Sequence, residues 1–119
     1  MISLLDNTVM SNFAAIERID LLRTAFGSRL ATSQQAFDEL QAGVRLDRLP
    51  SLDWSWLPVW TLEEEEGPYY HRFLSRLNAG EAACLAMALI RKCRILTDDR
   101  DAREFARHLK IPISGTLGV

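Results

Sequence analysis

The chain has 119 residues and a mass of 13.5 kDa, the length of a single domain spanning 1–119. Hydrophobic residues make up 48% and charged residues 25%, which excludes wholesale disorder, and no apolar run approaches the ~20 residues of a bilayer-spanning helix, so no membrane partner is expected. Net charge is −2, from 14 Lys+Arg against 16 Asp+Glu, but the stretch from Arg91 to Lys110 holds seven bases and four acids, a surplus that permits nucleic-acid binding without demanding it. The first ten residues lack the basic lead and long apolar stretch of a secretory signal, and the two cysteines, Cys84 and Cys93, cannot staple a scaffold. Both thiols are expected to be reduced and buried, in a cytoplasmic protein.

Ile2–Leu5 reads as a buried strand that stops at Asp6. Thr8 to Phe26 reads as helical, with a break near Glu17. Arg29–Ala31 is a short strand, and Gln34–Ala42 a helix ended by Gly43. Residues 44–58, with Pro50, Trp54, Trp56 and Pro58, carry no clear period. Val59–Leu62 reads as a strand, Glu63–Pro68 as a solvated polar loop and Tyr69–Leu77 as a helix. Glu81–Arg91 is small or apolar on most sides, the pattern of a buried helix. Arg94–Leu96 is a strand stopping at Thr97-Asp98-Asp99. In Asp101–Leu109 the apolar residues Ala102, Phe105, Ala106 and Leu109 oppose a stripe of Arg100, Arg103, Arg107 and Lys110. Ile111-Pro112-Ile113 opens an edge strand, where proline is tolerated. Strands alternating with helices predict an α/β fold with a parallel central sheet covered on both faces.

In such a sheet every strand ends along one edge, where ligand sites form. Two strands end in acid there, at Asp6 and at Asp98-Asp99. Glu81 opens the helix before the second of these strands, and Glu39, or its neighbour Asp38, lies on the helix after Arg29–Ala31. Each has a plain structural reading: Asp6 and Asp98 can cap helices, Asn78 to Glu81 has capping-box spacing, and Glu39 can be a solvated helix residue. Capping does not explain why both strand-end acids follow buried runs. Carboxylates crowded together raise one another's pKa or recruit a cation, and oxygen ligands without His or Cys suit Mg²⁺ or Mn²⁺. Two such ions would activate a water for in-line displacement at a phosphodiester, with the basic stripe holding the polyanion.

Leu4-Leu5-Asp6-Asn7-Thr8, Ala36-Phe37-Asp38-Glu39-Leu40, Gly80-Glu81-Ala82-Ala83-Cys84-Leu85-Ala86 and Leu96-Thr97-Asp98-Asp99-Arg100-Asp101-Ala102 stand in the order of a PIN domain. Across nearly its whole length the chain resembles that family, and within it a short prokaryotic branch related to the VapC-like toxins of toxin–antitoxin pairs. The resemblance implies a three-layer α/β/α sandwich and a Mg²⁺- or Mn²⁺-dependent ribonuclease. It maps the catalytic, metal-holding acids to Asp6, Glu39, Glu81 and Asp99, with Asp98 as a further metal ligand and Asp101 as an accessory. The departures are two: Glu81 stands where many relatives have Asp, and the chain ends at Gly115-Thr116-Leu117-Gly118-Val119, where relatives usually continue into another helix. The expected partners are an RNA substrate held by Arg100, Arg103 and Arg107, an antitoxin protein and a second copy of the chain in a homodimer.

Trp54, Trp56 and Trp60 beside Pro58 read as core or interface anchors rather than base-stacking platforms, with an interface, in a homodimer or an antitoxin groove, favoured. His71 and His108 share no metal spacing, and the segment 115–118 lacks the lysine of a phosphate loop. Two other functions are weighed against the ribonuclease. One is a non-catalytic PIN-like module with a degraded metal site that binds nucleic acid or a partner. The other is a phosphohydrolase of the haloacid-dehalogenase kind, disfavoured because Asp6-Asn7-Thr8 lacks the second Asp of its motif.

Overall fold

The computed structural model describes residues 1–118. In chain order it runs β1 (Ser3–Leu5), α1 (Asn7–Ala15), α2 (Asp20–Phe26), β2 (Leu30–Ser33), α3 (Gln34–Arg45), β3 (Val59–Trp60), α4 (Gly67–Phe73), α5 (Ala79–Arg91), β4 (Arg94–Leu96), α6 (Arg100–His108) and β5 (Ile113–Ser114), with 3-10 turns at Glu64–Glu66 and Thr116–Gly118. The strands pair in parallel in the order β3-β2-β1-β4-β5, with helices on both faces, the three-layer α/β/α sandwich expected. β1 is central, Leu5 standing opposite Thr32 of β2 on one side and Leu96 of β4 on the other. Its three residues are buried, so a parallel strand with no solvent face reads as a short apolar run. No helix among the described residues is long and apolar enough to cross a membrane.

The expected break near Glu17 is real: Glu17 takes φ +54°, and α1 and α2 lie on either side of it. Several boundaries differ from the sequence reading: β2 is Leu30–Ser33 rather than Arg29–Ala31, and the helix expected over Tyr69–Leu77 is α4, Gly67–Phe73. Gly43 does not end α3, which runs to Arg45. The bare Cα there accepts the Leu49 side chain, which a Cβ would meet at 3.0 Å. β3 is only Val59–Trp60, because Trp60 is the last residue to pair with β2. Trp54 is a core residue rather than an interface anchor, buried and stacked on Trp56 at 5.9 Å between centroids.

The largest correction concerns the four-glutamate run. Glu66 has no exposed surface. It receives Arg91 Nε at 2.7 Å and Nη2 at 2.9 Å, and the Glu63 amide at 2.7 Å. The Arg91 guanidinium also donates to the Thr61 carbonyl at 2.8 Å and lies over the Trp60 ring at 4.6 Å. Burial raises the Glu66 pKa, but the Arg91 bonds and charge outweigh it and hold the carboxyl below its ordinary value. A hydrophilic run thus supplies one deeply paired member, tying the β3 edge to the end of α5.

Removing one partner of a buried pair strands the other charge. Arg91→Ala is expected to cost about 3 kcal/mol, on the order of ten degrees in Tm, by urea and thermal unfolding. The double change Arg91→Met with Glu66→Leu should cost less than Arg91→Ala alone. Because the Glu66 pKa is depressed, the pair's contribution is present above the ordinary value of 4.5 and lost as pH falls through the lowered one. The penalty of Arg91→Ala should therefore shrink toward low pH, and a penalty that is flat with pH would sink this account.

Candidate active site

Asp6 follows the last residue of β1 and caps α1. Its carboxylate accepts the Asn7 amide at 2.7 Å, the Thr97 hydroxyl at 2.8 Å and the Thr8 hydroxyl at 3.3 Å. Only 1% of its surface is exposed. Asp99 follows β4 and caps α6 by accepting the Ala102 amide at 2.9 Å, while its own amide donates to the Thr97 hydroxyl at 3.1 Å. Thr97 thus fastens the two strand-end acids to each other. Glu81 is the third residue of α5 and completes the capping box with Asn78, accepting that residue's amide at 3.2 Å. Glu39 on α3 accepts the Gly80 amide at 3.3 Å. Asp38, the alternative, is exposed and turned to Gln34.

Capping and clustering therefore coexist. Burial pushes the Asp6 carboxyl up, against the lowering effect of its three donors, and the Asp99 charge adds to the rise. Burial and the Asp6 charge likewise raise Glu39, partly offset by the Gly80 amide. Glu81 is pushed up to about 8 by burial, by a hydrogen bond it can donate to Asp99 only when protonated, and by the Asp6 charge. Asp6 is the hub, its charge coupled to each of the other three. Two carboxylate oxygens, Glu39 Oε1 and Glu81 Oε2, are buried and receive no donor. Every donor supplied to the ring is neutral: a threonine hydroxyl or a backbone amide.

That arrangement fits a hard divalent cation. The donor set is all oxygen, and two of its buried oxygens, Glu39 Oε1 and, once ionised, Glu81 Oε2, receive no donor. Among the described residues no three acidic, His or Cys side chains stand close enough to hold a metal together. Gly80 governs how near α5 comes to α3: a Cβ there would meet Ala36 Cα at 2.9 Å and collide with the Glu39 carboxylate. Cys84 lies buried below, its thiol facing Ser33 Oγ at 3.5 Å and pushed up to about 12 by burial and the Asp6 charge, so it is an inert packing group.

Asp98 stands apart from the ring. Its carboxylate accepts Asn12 Nδ2 at 2.7 Å, the Thr116 amide at 2.8 Å and the Thr116 hydroxyl. These bonds, with the nearby Arg103 charge, outweigh burial and lower its pKa. Of the basic stripe, Arg100 and Arg107 are exposed, whereas Arg103 is half-buried and donates to the Thr97 carbonyl at 3.0 Å. Asp101 is exposed. Sequence reading missed Thr97, Thr8, Asn12 and Gly80. The Thr between an apolar strand and Asp-Asp was the one available signal.

A family model, DUF3368, described as a PIN domain, matches residues 2–119. PIN domains are nucleases that generally use divalent metals. No curated protein matches the chain. Among solved structures it is similar to PAE2754 from Pyrobaculum aerophilum, with a TM-score of 0.69, 17% identity, and coverage of 99% of this chain and 92% of that one. It is also similar to VapBC2 from Rickettsia felis bound to a DNA fragment from their promoter, with a TM-score of 0.69, 16% identity and coverage of 97% and 98%. FitAcB from Neisseria gonorrhoeae gives a TM-score of 0.68 at 16% identity, with coverage of 99% and 100%. At these identities the likeness carries the fold.

Glu81 has a raised folded-state pKa, so its contribution to stability is full below the ordinary value of 4.5 and is lost as pH rises through about 8. In chelator, Glu81→Gln should therefore gain in Tm over the parent as pH goes from about 5 to about 8. A difference that does not grow with pH would contradict the crowding. Gly80→Ala should cost about 1–3 kcal/mol in urea unfolding, through overpacking of α5 on α3.

Proposed function

The chain belongs to the PIN-domain family, and from that premise we propose that it is a divalent-metal-dependent ribonuclease whose ring of Asp6, Glu39, Glu81 and Asp99 holds Mg²⁺ or Mn²⁺. The observation that carries this reading is the pair of buried oxygens, Glu39 Oε1 and Glu81 Oε2, left without donors beside Asp6. Burying like charges with no counter-charge is costly, and a cation at this edge removes the cost. The bound metal would supply a water acidified for attack and neutralise the charge that develops on the phosphoryl oxygens.

The chain's own groups set the geometry. Thr97 and the Asn7 amide fix the orientation of Asp6, and the α6 cap fixes Asp99. Arg100, Arg103 and Arg107 offset the negative edge and hold the RNA backbone. The same reading makes the chain the toxin of a toxin–antitoxin pair, cytoplasmic and homodimeric. It is supported by the likeness of its fold to VapBC2 and FitAcB. A second reading, a binding module with a degraded metal site, is favoured by the open spacing of the ring and by Glu81, whose longer side chain is spent on the capping box.

Asn caps a helix as well as Asp does, so Asp6→Asn and Asp99→Asn remove charge while sparing α1 and α6. Both are expected to fold and to lose divalent-dependent RNA cleavage by more than about 100-fold, since even groups that merely support a metal ligand cost 10–100-fold. Mn²⁺ at about 100 times its dissociation constant should add about 2.7 kcal/mol, roughly ten degrees in Tm, to the parent but not to Asp6→Asn. Cleavage by either variant at the parental rate would remove the site assignment. RNA binding without turnover at millimolar Mn²⁺ would select the second reading.

A further inference from the structure

An open pocket of about 480 Å³ lies where β4 and β5 end, lined by Asp98, Arg103, Ile113, Ser114, Gly115 and Leu117. Arg103 sits one turn into α6, its amide bonded to the Asp99 carbonyl at 3.1 Å. Unlike Arg100 and Arg107 its side chain turns back over the end of β4, where Nη1 donates to the Thr97 carbonyl at 3.0 Å. The Thr97 hydroxyl holds Asp6 at 2.8 Å, so one residue separates the guanidinium from the hub of the ring. Among the described residues Arg103 makes no ion pair. Asp98, the nearby acid, is committed instead to Asn12 and Thr116. Guanidinium has five N–H donors, and among the described residues one is bonded. The room for it depends on bare backbone: a Cβ at Gly115 would meet Asp98 Oδ1 at 2.5 Å and Arg103 Nη1 at 3.1 Å.

A half-buried arginine that makes no ion pair among the described residues, with a fixed base and an adjoining open pocket of mixed lining, matches the planar fork that phosphate oxygens take. We propose that Arg103 and this cavity form a phosphate subsite that holds the RNA phosphate next to the one at the acidic ring. Asp98 is then a positioning residue rather than a metal ligand. By accepting from Thr116 it fixes the segment after β5 beside the guanidinium, and with its oxygens bonded to Asn12 and Thr116 it forms no ion pair with Arg103. This rests on the ribonuclease reading for its choice of RNA, but the subsite needs no metal. It extends recognition from a single phosphodiester to two successive phosphates, which favours an internal linkage over a mononucleotide.

The test is binding of a labelled single-stranded RNA by fluorescence anisotropy in EDTA, over a series of salt concentrations, for the full chain. Arg103→Gln should bind about 10-fold more weakly, and the slope of log K against log salt should fall by about 0.7, one phosphate contact on a single strand. Arg103→Lys should restore the slope but not the full affinity, because it keeps the charge without the fork. Arg48→Gln, exposed in the loop after α3, controls for the loss of a positive charge. Asp98→Ala separates the two roles by sign. Deleting an acid that merely repels RNA would tighten binding, whereas deleting a positioning residue should weaken it.

Parental affinity and slope in Arg103→Gln, or a loss no larger than that of Arg48→Gln, would overturn the subsite, and so would tighter binding by Asp98→Ala. Inorganic phosphate should compete with RNA in the parent. If Arg103→Gln lost phosphate binding while keeping RNA binding, the cavity would be a free-anion site and the proposal would fall. Should Arg103→Gln fail to fold, Arg103→Lys carries the test, and full parental affinity there would overturn it. RNA binding through Arg103 without divalent-dependent cleavage would support the subsite while removing the hydrolytic reading.

Discussion

Four carboxylates are gathered at the carboxyl edge of a parallel sheet with no opposing charge, and the rest of the molecule is arranged around that constraint. The topology makes it unavoidable. β1 and β4 are neighbours in register, so the acids that end them come together however far apart they lie in sequence. The chain shows elsewhere that it can neutralise a buried carboxylate: Glu66 is buried as deeply as Asp6 and has Arg91 bonded to both oxygens. At the ring it does the opposite. Thr97, Thr8, Asn78 and the amides of Asn7 and Gly80 fix the orientation of the carboxylates without cancelling their charge. The contrast between the two edges within one chain separates a structural acid from one kept available.

Keeping such a cluster requires close packing beneath it. α5 is buried from Gly80 to Ala88, and its small residues let it lie against the sheet so that Glu81 enters the ring while still capping its own helix. Gly80 lets α3 approach and sets the reach of Glu39. Ser33 and Cys84 fill the space below with neutral hydrogen bonds and an un-ionised thiol, so no further charge is added under Asp6. The strain of the site is thus electrostatic rather than steric.

Residues whose role follows from local pattern were legible in the sequence. Asp6 and Asp99 were visible because an apolar strand that stops at an acid is a local event, and Glu81 because a capping box has fixed spacing. The choice between Asp38 and Glu39 was not legible, since it depends on which way α3 faces once α5 is packed. Glu66 was misread because three of the four glutamates are exposed, and only the position of Arg91, 25 residues on, selects the fourth. Gly43 was misread for a related reason: a glycine ends a helix or admits a neighbour, and the neighbour, Leu49, lies in a segment with no period. The bonds of Asp98 were invisible, for Asn12 and Thr116 are 86 and 18 residues from it.

Asp98 and Asp99 show how adjacent identical residues acquire opposite duties. Asp99 is aligned by its cap toward the ring, whose neighbours are acidic, and it gains no compensating charge. Asp98, one residue earlier, is turned to the other side of the strand end, where Asn12, Thr116 and the Arg103 charge satisfy it. The alternation of the extended backbone at the end of β4 is enough to divide them. A uniformly acidic edge would repel any polyanion. Turning Asp98 away and bringing Arg103 in places a positive group one residue, Thr97, from Asp6, so that charges of opposite sign stand side by side on a single turn of chain.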